Sequence, residues 1–427
     1  MSVPTLPDPV RGAALAAPDR LAVVAPDGVL TWAELDRQVE GCAARLGRLD
    51  GAVVGIQGPA GVGFVAWLFG IARAGGIAAP GQVGQVTVTT ADLPESRVPE
   101  AERFWALDEV RLQVATSGST GVPKQVPITT GQLVFSAFGS MLRLGHLPAD
   151  RWLACLPLVH VGGLAILFRA AFAADTIEVL PFDAAAVATR LDSGEVQLVS
   201  LTPTMLADVL DARTPAPFPA SLRAVLVGGA SCPPALLERC RALGVPAALT
   251  WGLTEAASQV CTRWPGDLDP DHGAGPPLAF ARVEVQGEAL AVRGPVVAQG
   301  LEITNDFGAV IDGRLHVAGR LDAVINSGGV KLDGTAIERA LRSHPAVQDV
   351  VVVALPDPRF GERPGALLVP AGADRPDDAL RALCRSQVGR FAAPDRLLWC
   401  ADLPRTGPLA KVDRGAVRRH LMEANHV

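Results

Sequence analysis

The chain has 427 residues, of which 49% are hydrophobic and 19% charged, and this suits a globular protein with one large and one small domain. The net charge of −6 and the pI near 5.7 argue against a nucleic-acid partner, since the sequence contains no basic stripe that would neutralise phosphates. Seven cysteines without paired zinc spacing indicate thiols in a reducing cytoplasm, and residues 1–8 contain no basic or apolar segment of an export signal.

The uncharged stretch at residues 51–72 raises the question of a membrane span. Six glycines, Gln57 and Pro59 interrupt it, and Arg73 ends it. A span needs about 20 consecutive apolar residues, so we favour a strand, a glycine turn and a buried helix. No membrane span is therefore expected.

Alternating strands and helices are predicted for the first 250 residues. Thr31 and Glu34 form a capping box for a helix that runs to Leu46. The predicted strands that follow cover 52–56, 152–155, 177–180, 198–201, 224–227 and 247–249. The predicted helices between them cover 64–74, 164–173, 184–191, 204–212 and 234–243. This alternation is typical of parallel βαβ units and indicates a doubly wound α/β domain, whose ligands bind beyond the carboxyl ends of the strands.

After residue 280 the pattern changes. Short alternating strands at 282–285 and 289–292 predict a small β subdomain. A compact α+β unit then follows, with predicted helices at 335–343 and 376–388 and predicted strands at 347–354, 366–369 and, last, 396–399. We predict an N-terminal domain of residues 1–319, a polar joint at 320–322 and a C-terminal domain of residues 323–427.

Residues 116–124, TSGSTGVPK, directly follow an apolar run at 112–115. Glycines that tolerate positive φ, hydroxyl donors and one lysine are the groups that wrap an oligophosphate. The segment is not a Walker A loop, because Lys124 follows Pro123 and precedes Gln125. A surface turn is the alternative for such a cluster. The predicted phosphate-binding residues are Thr116, Ser117, Gly118, Ser119, Thr120, Gly121 and Lys124.

Two further segments follow predicted strands. Gly229 and Ala230 come after the strand at 224–227, and Trp251, Thr254 and Glu255 come after the strand at 247–249. A threonine beside a glutamate can cap a helix. Downstream of a glycine-rich loop, the carboxylate is better interpreted as a ligand of the Mg²⁺ that accompanies ATP, with the hydroxyl donating to a phosphate oxygen.

Together these motifs resemble the adenylate-forming superfamily of acyl-CoA synthetases, luciferases and peptide-synthetase adenylation domains. The resemblance implies ATP, Mg²⁺ and the co-substrate CoA, and a small C-terminal domain that moves. The family's Y-G-x-T-E motif occurs here with Trp251 in place of tyrosine. The aromatic plane against adenine is retained, and the phenol hydroxyl is absent.

The same resemblance assigns roles to later residues. The aspartate of the family's T-G-D motif binds the ribose hydroxyls and corresponds to Asp306, which follows Thr304 and Asn305; a plain turn is the alternative. In the G-R-x-D motif, Arg320 reaches the ribose or phosphate and Asp322 is the hinge between the two half-reactions.

Two C-terminal segments complete the resemblance. Residues 325–331 resemble the loop that faces the pantetheine tunnel, and residues 330–334 depart from the family's pattern. Lys411 occupies the lysine position of the final P-R-T…K…R motif. In the family this lysine bridges the acyl carboxylate and the α-phosphate as pyrophosphate leaves.

Residues 156–164 and the run T-E-x-x-S-Q-x-C-T are most similar to the o-succinylbenzoate-CoA ligases of menaquinone biosynthesis. This similarity implies a small-molecule carboxylic acid as substrate, with His160 gating the acyl pocket. Ser258 and Gln259 would face the keto and second carboxylate groups, with Arg169 as a nearby cation. A ligase for another aromatic or medium-chain acid and a non-catalytic nucleotide-binding protein remain alternatives. The resemblance is also compatible with a homo-oligomer.

Overall fold

The computed structural model describes residues 3–99, 102–116, 124–214, 216–406 and 411–423. Strands β1 to β15 are Thr5–Pro7, Leu21–Ala25, Gly28–Thr31, Val53–Gln57, Ile77–Pro80, Val86–Thr89, Phe104–Ala106, Val110–Thr116, Lys124–Thr129, Arg151–Ala154, Thr176–Val179, Leu198–Leu201, Ala224–Val227, Ala247–Leu253 and Ser258–Thr262. Strands β16 to β27 are Arg282–Gln286, Ala289–Arg293, Leu301–Ile303, Asp306–Ile311, Arg314–Arg320, Val324–Ser327, Val330–Asp333, Val347–Asp357, Gly361–Pro370, Arg396–Trp399, Arg405–Thr406 and Lys411–Val412. Helices α1 to α11 are Pro9–Ala16, Trp32–Leu46, Val62–Arg73, Thr130–Leu144, Val161–Ala173, Ala184–Asp192, Pro203–Ala212, Pro234–Ala242, Gly334–Arg342, Asp377–Gln387 and Arg414–Glu423.

Two largely parallel sheets form the N-terminal body. One has eight strands in the order β15-β14-β13-β12-β10-β11-β2-β3, parallel from β14 to β2 with an antiparallel strand at each edge. The other has five strands in the order β6-β4-β5-β8-β9, and only β9 is antiparallel. The predicted α/β architecture is confirmed.

The uncharged stretch folds as predicted into strand β4, a glycine turn and the buried helix α3. Every residue of α3 is buried, and Phe69 on this helix packs edge-on against Phe168 of α5. Gly63 lies so close to the chain that a Cβ there would stand 2.0 Å from the Thr90 carbonyl oxygen. Within the described ranges, no helix combines the length and apolar character needed to cross a membrane.

The C-terminal third contains small, mostly antiparallel sheets. Strands β16, β17 and β18 form one sheet, and β19 and β20 form a hairpin. Residues 325–331, expected as a loop, lie mostly in the β21–β22 hairpin, with Gly328 and Gly329 at its turn at φ 62° and 84°. Strands β21 to β25 build a five-stranded sheet whose core includes residues of α9 and α10.

The prediction that the strand at 396–399 is the last strand was wrong. Strands β26 and β27 and helix α11 follow, and α11 packs on β23 and β24. Only Val417 and Leu421 of this helix are buried, one turn apart. The apolar stripe is so short, among arginines and other polar residues, that the sequence pattern did not reveal a helix.

A buried pair of ionisable side chains joins the end of α4 to the start of β11. His146 Nδ1 lies 3.3 Å from an Asp175 carboxylate oxygen, and both side chains are almost fully buried. Burial lowers the pKa of His146 to about 4 and raises the pKa of Asp175 to about 8. In the folded protein the pair therefore holds one proton between these pH values.

We expect the free energy of unfolding to fall by about 2 kcal/mol as the pH rises from about 6.5 to 8. In the unfolded chain the histidine and the aspartate titrate near their ordinary values of about 6.5 and 3.9. Below pH 6.5 the stability that Asp175 loses with rising pH is offset by the stability that His146 gains. Above pH 6.5 only the loss of stability from Asp175 remains, because the histidine of the unfolded chain has already released its proton.

Denaturant titrations at several pH values measure this change. The double variant His146→Gln/Asp175→Asn should lose the slope between pH 6.5 and 8. The exposed His420 offers a control, since His420→Gln should keep the slope. A slope that survives in the double variant would place the responsible proton elsewhere in the protein.

Candidate active site

The predicted phosphate loop connects two paired strands. Thr116 ends β8 and faces Lys124, the first residue of β9, in the antiparallel ladder. The Thr116 hydroxyl donates to the Lys124 carbonyl oxygen at 3.3 Å. Five predicted phosphate contacts lie outside the described residues, and their roles stay predictions: Ser117, Gly118, Ser119, Thr120 and Gly121.

Lys124 reaches the second predicted motif. Its Nζ lies 3.0 Å from Glu255 Oε1, and this hydrogen bond raises the pKa of the lysine, which stays charged. Glu255 belongs to a short 3₁₀ turn, Thr254–Ala256, immediately after β14. Gln132, in the first turn of α4, donates to the Glu255 carbonyl oxygen at 2.6 Å and fixes this turn. The structure thus places Glu255, the predicted metal ligand, beside Lys124 at the end of the predicted phosphate loop.

Strand β14 is longer than predicted, because β15 pairs with its last residues up to Leu253. The segment from Trp251 onward is therefore a strand followed by a turn, and not a turn throughout. A Cβ on Gly252 would lie 1.8 Å from the Ser258 carbonyl oxygen, so this close approach requires glycine. Ala257 and Ser258 complete the reversal at positive φ values of 52° and 113°, a backbone strain that is often concentrated at functional sites.

Three predicted nucleotide contacts lie together. The indole Nε1 of Trp251 donates to Asp306 Oδ2 at 2.7 Å. Arg320 pairs with Asp306 across the β19–β20 hairpin, with its Nη1 3.5 Å from Oδ1. The hydroxyl of Thr304 accepts from the Asp306 backbone N–H at 3.1 Å. The carboxylate is thus held between an indole and a guanidinium.

The remaining predicted contacts are placed less completely. Gly229, at φ 82°, and Ala230 are exposed just beyond the carboxyl end of β13, beside β14. Asp322 lies in the short turn Leu321–Ala323, and Lys411 begins β27, which pairs with β26. The side chains of Asp322 and Lys411 lie outside the described part of the chain.

Known proteins match nearly the whole chain. The profile of the AMP-binding enzyme family matches residues 10–86 and 85–301, and that of the AMP-binding enzyme C-terminal domain matches residues 336–408. The chain belongs to the AMP-binding enzyme family.

Several members of this family are substantially similar to the chain. A 2-succinylbenzoate-CoA ligase of Bacillus mycoides (strain KBAB4) is 32% identical over 339 residues, covering 72% of this chain and 70% of the relative. The o-succinylbenzoate CoA synthetase of Bacillus subtilis, in complex with its acyl-adenylate intermediate, matches with a TM-score of 0.88 at 27% identity, covering 97% of this chain and 99% of that one. The same synthetase with ATP and magnesium ion matches with a TM-score of 0.86 at 26% identity, covering 98% and 100%. The predicted membership and the predicted AMP-forming acyl-CoA synthetase class are confirmed.

In this AMP-binding enzyme, helix α5 carries two of the predicted acyl-pocket residues. His160 is its N-cap residue and is half-buried. Arg169 is only 1% exposed, and its guanidinium lies 5.2 Å from the ring centre of Trp152. Burial lowers the pKa of Arg169 to about 9. Within the described ranges, none of its three side-chain nitrogens has a hydrogen-bond partner.

Gln259 also has buried polar atoms without a hydrogen-bond partner. It lies on β15, which packs against α5, and it is 2% exposed. Its amide oxygen and nitrogen both lack a partner in the described part of the protein, and the adjacent Ser258 is half-buried. Burying polar atoms without hydrogen bonds is costly, and a polar ligand between these two elements would reduce that cost.

Two residues near Glu255 were not predicted. Glu302 on β18 has a raised pKa, mainly from burial and then from the charge of Glu255, while Lys124 lowers it. No sequence signal distinguishes this glutamate in a three-residue strand. Gln132 could have been found, because Thr129 and Gln132 have capping-box spacing and form that box.

The structure also bears on how magnesium would bind. Among the described residues, no group of three or more histidine, cysteine or acidic side chains could hold a metal ion by itself. Mg²⁺ characteristically takes one or two protein carboxylates together with substrate phosphates. Glu255, beside the phosphate loop, fits an ion that arrives with ATP.

Proposed function

We propose that this AMP-binding enzyme activates 2-succinylbenzoate with Mg·ATP and transfers the acyl group to CoA. The observation that carries the substrate assignment is the buried guanidinium of Arg169, which lies near the Trp152 ring but has no hydrogen-bond partner among the described residues. The relatives named 2-succinylbenzoate-CoA ligase support the same substrate.

The chemistry of the acid fits these groups. 2-Succinylbenzoate has two carboxylates and a ketone, and only one carboxylate can react at the α-phosphate. The other needs a cation in a site shielded from water, and a guanidinium binds carboxylates through two parallel hydrogen bonds. Gln259 and Ser258 offer polar groups for the ketone. A ligase for benzoate or a medium-chain acid has no use for a buried arginine without a hydrogen-bond partner, so this alternative is less well supported.

In the first half-reaction the acid's carboxylate oxygen attacks the α-phosphorus of ATP. A new P–O bond forms, the bond to the β-phosphate oxygen breaks, and acyl-AMP and Mg·pyrophosphate result. Glu255 would hold the ion, Lys124 and Thr254 would contact the phosphates, and Lys411 would stabilise the charge that grows at the reacting centre. Asp306, Arg320 and Trp251 would bind the nucleoside.

In the second half-reaction the CoA thiol releases its proton to solvent and its sulfur attacks the acyl carbon. A thioester forms, and AMP leaves with the electrons of the broken C–O bond. The joint at residues 320–322 would let the C-terminal domain turn about Asp322 between the two steps. The β21–β22 hairpin then becomes the CoA-side element, and its Lys331 is at present 2.5 Å from Glu288 of the N-terminal β subdomain.

A cytoplasmic location belongs to this proposal. All seven cysteines are free thiols, which fits a reducing compartment. A homo-oligomer also remains part of it, and light scattering of the purified protein measures that state directly.

The decisive experiment follows AMP release and CoA-thioester formation from ATP, Mg²⁺, CoA and one acid at a time. We expect product with 2-succinylbenzoate and little with benzoate or octanoate. Turnover with the other acids alone would keep the two-step mechanism and overturn the substrate. AMP release from none of them would favour the non-catalytic nucleotide-binding protein.

A further inference from the structure

A tryptophan holds a carboxylate in the nucleotide half of the site. The Trp251 indole Nε1 donates to Asp306 Oδ2 at 2.7 Å, and the two residues are 55 positions apart in the chain. Asp306 is 19% exposed at its side chain, and its other oxygen faces Arg320 at 3.5 Å. The Y-G-x-T-E motif of the adenylate-forming superfamily has tyrosine where this chain has Trp251, so the indole donor is a property of this chain.

We propose that Trp251 is a positioning residue, whose indole N–H orients Asp306 to accept both ribose hydroxyls of ATP; this inference rests on the proposed function. An ionised carboxylate has about four acceptor positions, two on each oxygen. The indole occupies one on Oδ2, and the guanidinium faces one on Oδ1. One position on each oxygen is left, which matches two neighbouring hydroxyl donors.

This arrangement makes the indole a determinant of sugar specificity. Without its N–H, the Asp306 carboxylate is restrained on one oxygen only and can rotate toward Arg320. The 2′-hydroxyl then loses a fixed acceptor, whereas 2′-deoxy-ATP has no such hydrogen bond to lose. The preference for ATP over 2′-deoxy-ATP therefore depends on Trp251 even though the indole need not touch either hydroxyl.

The test measures binding of Mg·ATP and Mg·2′-deoxy-ATP by calorimetry without any acid, and then the steady-state constants. Trp251→Phe keeps an aromatic plane and removes the donor. We expect the preference for ATP over 2′-deoxy-ATP to fall about tenfold and the KM for ATP to rise by a similar factor, with kcat and the KM for the acid little changed.

Two further variants separate positioning from a general structural effect. In Trp251→Phe/Asp306→Asn the preference should be no lower than in Asp306→Asn alone, because the indole acts through that carboxylate. Trp399 is a matched control, since its Nε1 donates to Asp377 Oδ1 at 2.8 Å within the predicted C-terminal domain. Trp399→Phe should leave the preference unchanged.

The outcomes distinguish the two proposals. If the wild-type protein binds neither nucleotide, the proposed function and this inference both fail. If the wild type prefers ATP and Trp251→Phe keeps that preference, only the role of Trp251 is overturned. If Trp251→Phe loses affinity for ATP and 2′-deoxy-ATP equally and its unfolding midpoint falls, Trp251 has a structural role and the positioning role is overturned.

Discussion

Replacing Lys411 by alanine is expected to lower the rate of acyl-adenylate formation by about 10²–10³-fold while ATP affinity changes little. The ammonium is proposed to act on charge that grows only as pyrophosphate leaves, so its loss affects the transition state more than the bound nucleotide. The chain contains only three lysines, at positions 124, 331 and 411, against 35 arginines. Nearly all basic residues of the chain other than histidine are arginines, and each of the three lysines lies in a motif with a predicted role.

Single-turnover release of pyrophosphate, measured beside equilibrium binding of ATP, checks this prediction. Lys331→Ala is the matched control, because Lys331 lies on the β21–β22 hairpin and should leave adenylation intact. Lys411→Arg should not restore the rate, since a planar guanidinium cannot replace a compact point charge. Normal adenylation in Lys411→Ala would contradict the role that the resemblance assigns.

Replacing Arg169 by methionine is expected to raise the KM for 2-succinylbenzoate about 100-fold without lowering the free energy of unfolding. The large effect follows from leaving the substrate's second carboxylate buried without its partner, which costs about 3 kcal/mol. The folded protein itself loses no hydrogen bond to Arg169 among its described residues. Removal of a buried charge that has no hydrogen-bond partner should offset the lost contact with Trp152 and leave stability equal or higher.

The control is a buried arginine that does form ion pairs. Arg73 is also almost fully buried, but it pairs with Asp8 at 2.8 Å, Asp36 at 2.7 Å and Glu40 at 3.3 Å. Arg73→Met should cost about 3–5 kcal/mol of stability and leave the KM for the acid unchanged in the protein that remains folded. Steady-state kinetics and denaturant titrations of both variants measure the contrast. An unchanged KM in Arg169→Met would remove the guanidinium from the acyl pocket.

The secondary structure was predicted well where the apolar pattern was strong. The strand at 224–227 has its predicted bounds, and α2 has its predicted capping box. Prediction failed for β26 and β27, which have only two residues each, and for α11, in which only Val417 and Leu421 are buried. It also ended β14 too early, because the extension to Leu253 depends on pairing with β15, a partner that local propensity does not contain.

The sequence by itself determined the fold class and the family and predicted the motif residues of the candidate site, because apolar periodicity and short motifs are properties of neighbours in the chain. Only the tertiary structure decided which of these residues meet. Lys124 and Glu255 form a hydrogen bond although they are 131 positions apart. Asp306 accepts a hydrogen bond from Trp251, which lies on a different strand. The burial of Arg169 and Gln259 without hydrogen-bond partners among the described residues is equally a result of packing, because burial depends on every element that surrounds a side chain.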